Sequence, residues 1–442
     1  MVQRSRLRNA GFLATSIIAA ALAIALLILA PWWLLLALVA ALALWMLSTR
    51  VGRQAWSVTE VGLATIPQRI GASSVVVVGI AGVVAVLVAL LAMASGFELA
   101  LRQGGTDDTA IVMRAGSQTE INSVLDHDSA MIVEQAPQVL RDAAGVPIAS
   151  PELVLVASLP KKSTGKDANV EIRGVGELAF RLRPEVRIID GRRFGPGLRE
   201  MIVGKGAREQ FAGLDLGSTL NLNGQTWTVV GAFDSQDAHN SELWADNDVV
   251  AATYRRGSGT AAVTVRLTGA DAFDAFKAAL ASDPRLKVDA KTTRAYYTDQ
   301  SAGLAKLIRI LGITIATIMA IGAVFGALNT MYAAVATRSR EIATLRAIGF
   351  RALPVIVSVM LETMLLALLG GLIGAALTWA LFNHYTVSTL GDNFTQVVFA
   401  FQVSGPVLST GIKWALAIGL IGGLFPALRA ARLQVTAGLR EV

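Results

Sequence analysis

SSVVVVGIAGVVAVLVALLAMASGF, residues 73–97, carries no charge and sits in a longer uncharged gap between Arg69 and Glu98. A helix that crosses a bilayer needs about 20 apolar residues, so this stretch reads as a membrane span. The same pattern recurs on both sides of it. No charge occurs between Arg8 and Arg50, a gap of 41 residues holding GFLATSIIAAALAIALLILA and then PWWLLLALVAALALWML. That gap is long enough for two spans, with Pro31-Trp32-Trp33 as a tight turn and Trp at interface depth. Further gaps run from Arg309 to Arg338, from Arg351 to Asp392 broken only by Glu362, and from Pro406 to Pro426 broken only by Lys413. The spacing predicts six spans. Arg4, Arg6 and Arg8 before the first run resemble the start of a signal peptide, but the run is too long and a second span follows at once.

Composition agrees. Of the 442 residues, 54% are hydrophobic and 16% charged, against roughly 45–50% and about 25% for soluble domains. Mean hydropathy is +0.56. These values exclude a disordered or collagen-like chain and argue against an ordinary soluble enzyme. There is no cysteine, which removes disulfides, thiolate metal sites and a Cys nucleophile.

The net charge of +7 would suit a polyanion partner until the charges are placed. Of 39 basic and 32 acidic residues, 23 and 27 lie in 97–300, leaving 16 and 5 in the apolar part. Thirteen of those 16 are Arg4, Arg6, Arg8, Arg50, Arg53, Arg69, Arg338, Arg340, Arg346, Arg351, Arg429, Arg432 and Arg440. With six spans all thirteen fall on one side, which the positive-inside rule makes cytoplasmic. The expected fold is therefore an α-helical membrane protein of six transmembrane helices, N-in and C-in. One α+β extracytoplasmic domain lies between helices three and four. The expected boundaries are an N-terminal helix pair (1–50), an interfacial elbow (51–72), helix three (73–96), the outer domain (97–300), and helix four with an outer stalk (301–334). Then follow a cytoplasmic segment (335–352), helix five (353–382), an outer loop (383–405), helix six (406–428) and a cytoplasmic tail (429–442).

Within 97–300, residues 153–157, 169–175 and 185–190 alternate as strands do. EMIVG (200–204) is a strand followed by the helical KGAREQFAG. STLNLNGQTWTVVGAF holds two strands joined by Asn223-Gly224, a strong two-residue hairpin signal. AAVTVRLTG, DAFDAFKAALASD and RLKVDAKT read as strand, helix, strand. Residues 293–312 read as a helical outward extension of span four.

No phosphate-binding loop occurs: STGKD at 163–167 has Gly-Lys without the rest of the motif. His127, His239 and His384 are far apart, and without Cys a zinc site is not expected. The acidic run 234–248 contains Asp234, Asp237, Glu242, Asp246 and Asp248. Hard oxygen ligands cluster there, but the spacing fits no EF-hand, and a solvated acidic loop is the plainer reading. No Ser/His/Asp set has catalytic spacing, so the chain reads as non-catalytic.

The segment ATRSREIATLRAIGF (336–350) puts Ile342, Leu345 and Ile348 on one helical face, with Arg338, Glu341 and Arg346 elsewhere. Gly349 stops the helix and Pro354 begins the next. Physics leaves two readings: an anchor on the headgroups, or a docking helix for a cytoplasmic partner. Glu362 lies about two turns into span five. An ionisable group there is a functional candidate by default, and a structural bond to a neighbouring span or a headgroup-level Arg is the favoured alternative. Gly322/Gly326, Gly370/Gly374 and Gly419/Gly423 have small-xxx-small spacing, which permits close helix packing.

NTMYAAVATRSREIATLRAIGF (329–350) resembles the cytoplasmic coupling segment of the MacB/FtsX-like ABC-transporter permeases. LETMLLALLGGLIGAALTW (361–379), including Glu362, resembles that family's penultimate span, and FPALRAARLQVTAGLREV (425–442) its closing segment. Residues 191–233 resemble its outer domain, and ATIPQRIGASSVVVV (64–78) its membrane-entry elbow. The resemblance covers 58–442. The family core has four spans, so 1–50 add a pair. The resemblance implies a setting in the bacterial inner membrane, with the large domain in the periplasm.

The resemblance implies an ATPase on a separate chain, in two copies, beneath two permease chains. ATP and Mg belong to that ATPase, and no cofactor is implied on this chain. Arg338, Arg340, Glu341, Ile342, Leu345, Arg346, Gly349 and Phe350 would couple to the ATPase, with Ile342 and Leu345 as the apolar anchor. ATP-driven motion would pass to the outer domain and serve export or extraction of hydrophobic or envelope-associated cargo. A periplasmic adaptor and membrane lipid are further expected partners; nucleic acid is not. Two other functions remain open: ATP-driven signalling to a periplasmic partner such as a cell-wall hydrolase, and a membrane-anchored sensor without an ATPase.

Overall fold

The computed structural model describes residues 27–391 and 395–432. The first expected span and the tail beyond Arg432 lie outside the described residues, as do Arg4, Arg6, Arg8 and Arg440. The chain divides into two units. One takes the chain up to Ala92, Arg309–Asn383, and the chain from Val403; the other is Met93–Ile308 with His384–Gln402.

The first unit is helical. Its helices are α1 (Trp32–Ser48), α2 (Arg50–Ala64), α3 (Ile70–Gln103), α4 (Thr293–Thr337), α5 (Ser339–Ala347), α6 (Ala352–Phe382) and α7 (Gly405–Arg432); α3 and α4 run on into the second unit. Among the described residues four helices are long and apolar enough to cross a membrane: Ile66–Gln103, Thr293–Thr337, Ala352–Phe382 and Gly405–Arg432. The expected second span is α1, which breaks at Thr49 and turns by 103° into α2; counted as one bent span, the pair brings the number among the described residues to five. Thr49 caps α2, its hydroxyl accepting from Gly52 N–H at 2.9 Å. Any Cβ at Gly52 would collide with the Trp45 carbonyl, so the bend needs glycine there.

Helix α2 explains the elbow. Gly52, Ala55, Val58, Thr59 and Gly62 are its buried residues, spaced as one helical face. They are small, so the helix lies close against its neighbours, while Trp56 and Val61 stay exposed. The buried face of α6 likewise carries Gly370, Gly371, Gly374 and Ala375. Pro426 lies inside α7, which continues to Arg432.

The second unit is built on a mixed sheet of ten strands: β1 (Thr109–Arg114), β2 (Ala149–Pro160), β3 (Asp167–Val175), β4 (Arg187–Gly191), β5 (Glu200–Gly204), β6 (Thr219–Leu222), β7 (Gln225–Asp234), β8 (Glu242–Asp246), β9 (Ala262–Arg266) and β10 (Val288–Thr292). The order is β10-β1-β9-β2-β3-β8-β5-β7-β4, with β6 also paired to β7. Only β3–β8 and β5–β7 are parallel. Asn223 and Gly224 both have positive φ, 48° and 78°, which is what a two-residue hairpin turn demands. One core layer gathers Leu155, Phe211, Trp227 and Leu243; another gathers Val112, Val263, Phe276 and Leu280.

Two parts of this unit depart from the sequence reading. The acidic run 234–248 is not a solvated loop: it contains the end of β7, a 3-10 turn and the interior strand β8. Leu243, Trp244 and Ala245 supply enough apolar surface to bury that strand among acidic neighbours. The segment expected as a loop at 383–405 contains an antiparallel hairpin, β11 (Thr386–Leu390) and β12 (Gln396–Ala400). Phe399 of β12 packs edge-on against Phe97 of α3 at 5.5 Å, and its Val398 N–H donates to Ser241 Oγ at 2.7 Å.

Candidate functional site

Two constellations of charge stand out, one in each unit. In the helical unit the centre is Glu362 of α6, which is 3% exposed. Arg69, the last residue of the 3-10 turn before α3, places Nη2 2.8 Å from Glu362 Oε1. Arg338, at the N-cap of α5, places Nη1 3.4 Å from Glu362 Oε2 and Nε 3.2 Å from Glu341 Oε2. Arg69 also donates to Thr65 Oγ1 at 3.1 Å. A buried carboxylate is retained only when paired, and here one carboxylate joins the elbow, the segment between α4 and α6, and α6 itself. A Cβ at Gly62 would lie 3.4–3.6 Å from Arg338, Ser358 and Glu362, an ordinary contact distance, so the elbow sits beside this ion cluster.

Helix α5 splits into two faces. Ser339, Ile342 and Ala343 are buried. Ile342 packs with Met331 and Val335 of α4, Val355 and Val359 of α6, and Ala427 and Ala430 of α7. Arg346 Nη1 donates to the Ala431 carbonyl at 2.8 Å, at the negative end of α7 where a cation is favoured. Arg340, Glu341, Thr344, Ala347 and Ile348 are exposed, and their spacing is again one helical face. Gly349, with φ 104°, ends the helix, and Phe350 N–H donates back to the Leu345 carbonyl at 3.1 Å.

In the second unit, Arg173 of β3 is ringed by four glutamates. Its nitrogens lie 2.7 Å from Glu120, 2.9 Å from Glu152, 3.0 Å from Glu171 and 2.8 Å from Glu242. Arg183 takes the other side of Glu152 at 2.6 Å, and Trp244 Nε1 donates to Glu242 at 2.6 Å. All seven residues are buried. Burial works against the Glu152 charge, but the Arg183 and Arg173 guanidiniums beside it prevail and hold its carboxyl below the usual range. Next to this ring, His239 Nδ1 lies 2.8 Å from Asp237 Oδ2, and its Nε2 lies 3.1 Å from Tyr297 OH.

Family models match two stretches of the chain: the MacB-like periplasmic core domain over residues 73–283 and the FtsX-like permease C-terminal over 313–435. The chain belongs to the MacB/FtsX-like permease family. Among curated relatives it is 22% identical over 315 residues to the macrolide export ATP-binding/permease protein MacB of Burkholderia pseudomallei, covering 67% of this chain and 46% of that protein. With its namesake in Sodalis glossinidius it shares 28% over 306 residues, covering 64% and 45%. The chain thus spans under half the length of these relatives. Among solved structures, the periplasmic region of MacB from Actinobacillus actinomycetemcomitans aligns with TM-score 0.34 and 17% identity, covering 44% of this chain and 92% of that one. The extracellular domain of YknZ, described as a noncanonic ABC-type transporter of Gram-positive bacteria, gives 0.32 and 16%, covering 42% and 100%.

Within this MacB/FtsX-like permease the structure redistributes the residues expected to act. Ile342 is not presented as an apolar anchor: it completes the chain's own core, and Leu345 is half-buried. The exposed apolar side chain of the segment is Ile348. The reason is register, since three flanking helices claim the side of α5 that carries Ile342. Glu362 makes the structural ion pairs favoured for it. Two glycine pairs pack within the chain. Side chains at Gly370 and Gly374 would strike the α3 backbone at Val77 and Ala81, and at Gly419 and Gly423 they would strike Ala367 and Thr363 of α6. The Gly322/Gly326 pair faces open space. Among the described residues no three His, Cys, Asp or Glu side chains are grouped to hold a metal ion. The Asp246 carboxylate, part of the acidic run, accepts from Asp248 and Val249 N–H as a helix cap. The Arg173 ring went unread in the sequence. Its only local sign is the alternation Glu171-x-Arg173, and the other acids come from a 3-10 turn (Glu120) and from β2 and β8 (Glu152, Glu242).

Proposed function

We propose that this chain is the membrane-spanning permease subunit of a MacB-type ABC transporter, coupling ATP hydrolysis by an ATPase subunit to movement of its α/β domain. The observation that carries this reading is the Glu362 ion cluster, which joins the elbow, α5 and α6 so that force on α5 reaches two further elements. The docking face is the exposed stripe of α5: Arg340, Glu341 and Thr344 with Ile348 as the apolar contact. On this reading α5 lies in the cytoplasm and the α/β domain outside, which agrees with the one-sided arginines. ATP and Mg bind the partner ATPase.

A second copy of the permease packs against α4. Among the four candidate spans its apolar window is the least buried. Ile318, Ile321 and Phe325 are exposed beside Gly322 and Gly326. An assembly of two permeases and two ATPases follows. The cargo is hydrophobic or envelope-associated, handed on with a periplasmic adaptor.

The test is purification of the tagged chain in detergent followed by mass spectrometry. An ABC ATPase should accompany the wild-type chain. Its loss in Arg340→Glu combined with Ile348→Asp, with the permease still folded, supports the docking face. Its retention there overturns that face, and the absence of any ATPase from the wild-type preparation overturns the function.

A further inference from the structure

The root of the α/β domain is formed by the segments through which its chain enters and leaves: the end of α3, the start of α4, and the 384–402 hairpin. All three meet one small polar group. Asp237 and His239 sit on the 3-10 turn Ala238–Ser241 and its cap. Tyr297, near the start of α4, reaches His239 Nε2. Gly104, just past α3, lies so close that a Cβ there would be 3.1 Å from Asp237 Oδ2 and 3.3 Å from His239 Cε1. Ser241, ending the same turn, accepts from Val398 N–H of the hairpin. His239 is 1% exposed, Asp237 3%. The imidazole is edge-on to both Trp244 and Tyr297.

We propose that the Asp237–His239–Tyr297 triad is a proton-operated latch on the root of the domain: protonated, it holds the three segments on one turn, and deprotonated it loosens them.

The chemistry of the latch is a change of charge and of donor direction. As imidazolium, His239 donates from Nδ1 to the Asp237 carboxylate and from Nε2 to the Tyr297 oxygen. As neutral imidazole it keeps the Nδ1 proton for Asp237, and Nε2 must accept from the Tyr297 hydroxyl instead. The Asp237 carboxylate is then left buried without a countercharge, which is costly. Charged and titratable groups face the imidazole from each neighbouring element. Asp237 is on its own turn, Glu242 on β8, Arg183 after the helix Ala179–Leu182, and Tyr297 on α4. Nearby lie Glu120, Glu152, Glu171 and Arg173. Five carboxylates thus surround two guanidiniums, a surplus of negative charge that favours a cationic imidazole. Burial pushes the imidazole down, yet Asp237 and then Glu242 outweigh burial and raise it above its ordinary value, with Arg183 opposing. A raised folded value contributes stability in full below the unfolded value of about 6.5, and that stability is lost as pH rises through the folded value.

The chain has three histidines, so the full-length protein in nanodiscs, carbon-13-labelled at histidine, gives three resonances, and His239→Gln assigns one of them. The His239 midpoint should lie above that of a free histidine, and Asp237→Asn should lower it. The advantage of wild type over His239→Gln in apparent unfolding temperature should be greatest near about pH 6 and should shrink as pH passes that midpoint. A midpoint at or below that of free histidine overturns the latch, as does an advantage that does not change with pH. If His239→Gln does not fold, the titrations of wild type and Asp237→Asn decide on their own.

Discussion

At the scale of residues, the molecule is organised by a few buried charges whose partners come from distant parts of the chain. Removing one partner of a buried pair costs about 3–5 kcal/mol, whereas removing both together costs far less. Glu362→Met should therefore lower the apparent unfolding temperature in detergent more than Glu362→Met with Arg69→Met, since the double variant removes charge as a pair and leaves Arg338 with Glu341. Equal losses in the two variants would show that Arg69 and Glu362 do not act as a pair. Arg173→Met should destabilise the α/β domain by about 3–5 kcal/mol, because four glutamates lose the guanidinium that holds them. Lowering the pH should produce a related loss. Glu152, Asp237 and Glu242 are held below the ordinary carboxylate value. The stability they contribute is present above the unfolded value and falls away as pH drops through their folded values, measurable by unfolding scans across acid pH. Glu362 was legible as a residue of interest because a lone acid in an apolar run is conspicuous. Its partners were not, since Arg69 and Arg338 looked like two more orienting arginines, and only the fold brings them to one carboxylate.

At the scale of elements, long apolar runs and turn residues were legible and interior polar strands were not. The spans α3, α6 and α7 follow from long, nearly uncharged apolar runs, and the β6–β7 hairpin from Asn223-Gly224. Strand β8 hid because ELWAD is two-fifths acidic, and its burial depends on Arg173 of β3, which no local pattern announces. The hairpin 386–400 hid for the opposite reason: a short segment between two spans gives little periodicity. Its seat is specific, however. Lys161 Nζ lies 3.3 Å from Ser388 Oγ and 3.1 Å from Gln396 Oε1. Lys161→Ala should loosen the hairpin, and amide exchange over 386–400 should speed up while exchange in β5 and β7 stays unchanged. The face of α5 was half legible. Ile342 faces the chain's own core, but Ile348, expected on the same face, is exposed, and periodicity cannot say which stripe three neighbouring helices will cover.

At the scale of the whole molecule, the charge balance changes meaning. The +7 total comprises an acidic α/β domain and an apolar part rich in arginine. Some of those arginines make bonds inside the chain: Arg69 and Arg338 bind Glu362, and Arg346 holds the end of α7. The ion cluster on Glu362 is where this chain ties α5 to the elbow and α6. The most direct test is ATPase co-purification with the detergent-solubilised full chain, wild type against Arg340→Glu with Ile348→Asp. The account predicts an ABC ATPase bound to wild type and lost from a still-folded variant. An ATPase retained equally by both, or absent from wild type, would contradict it.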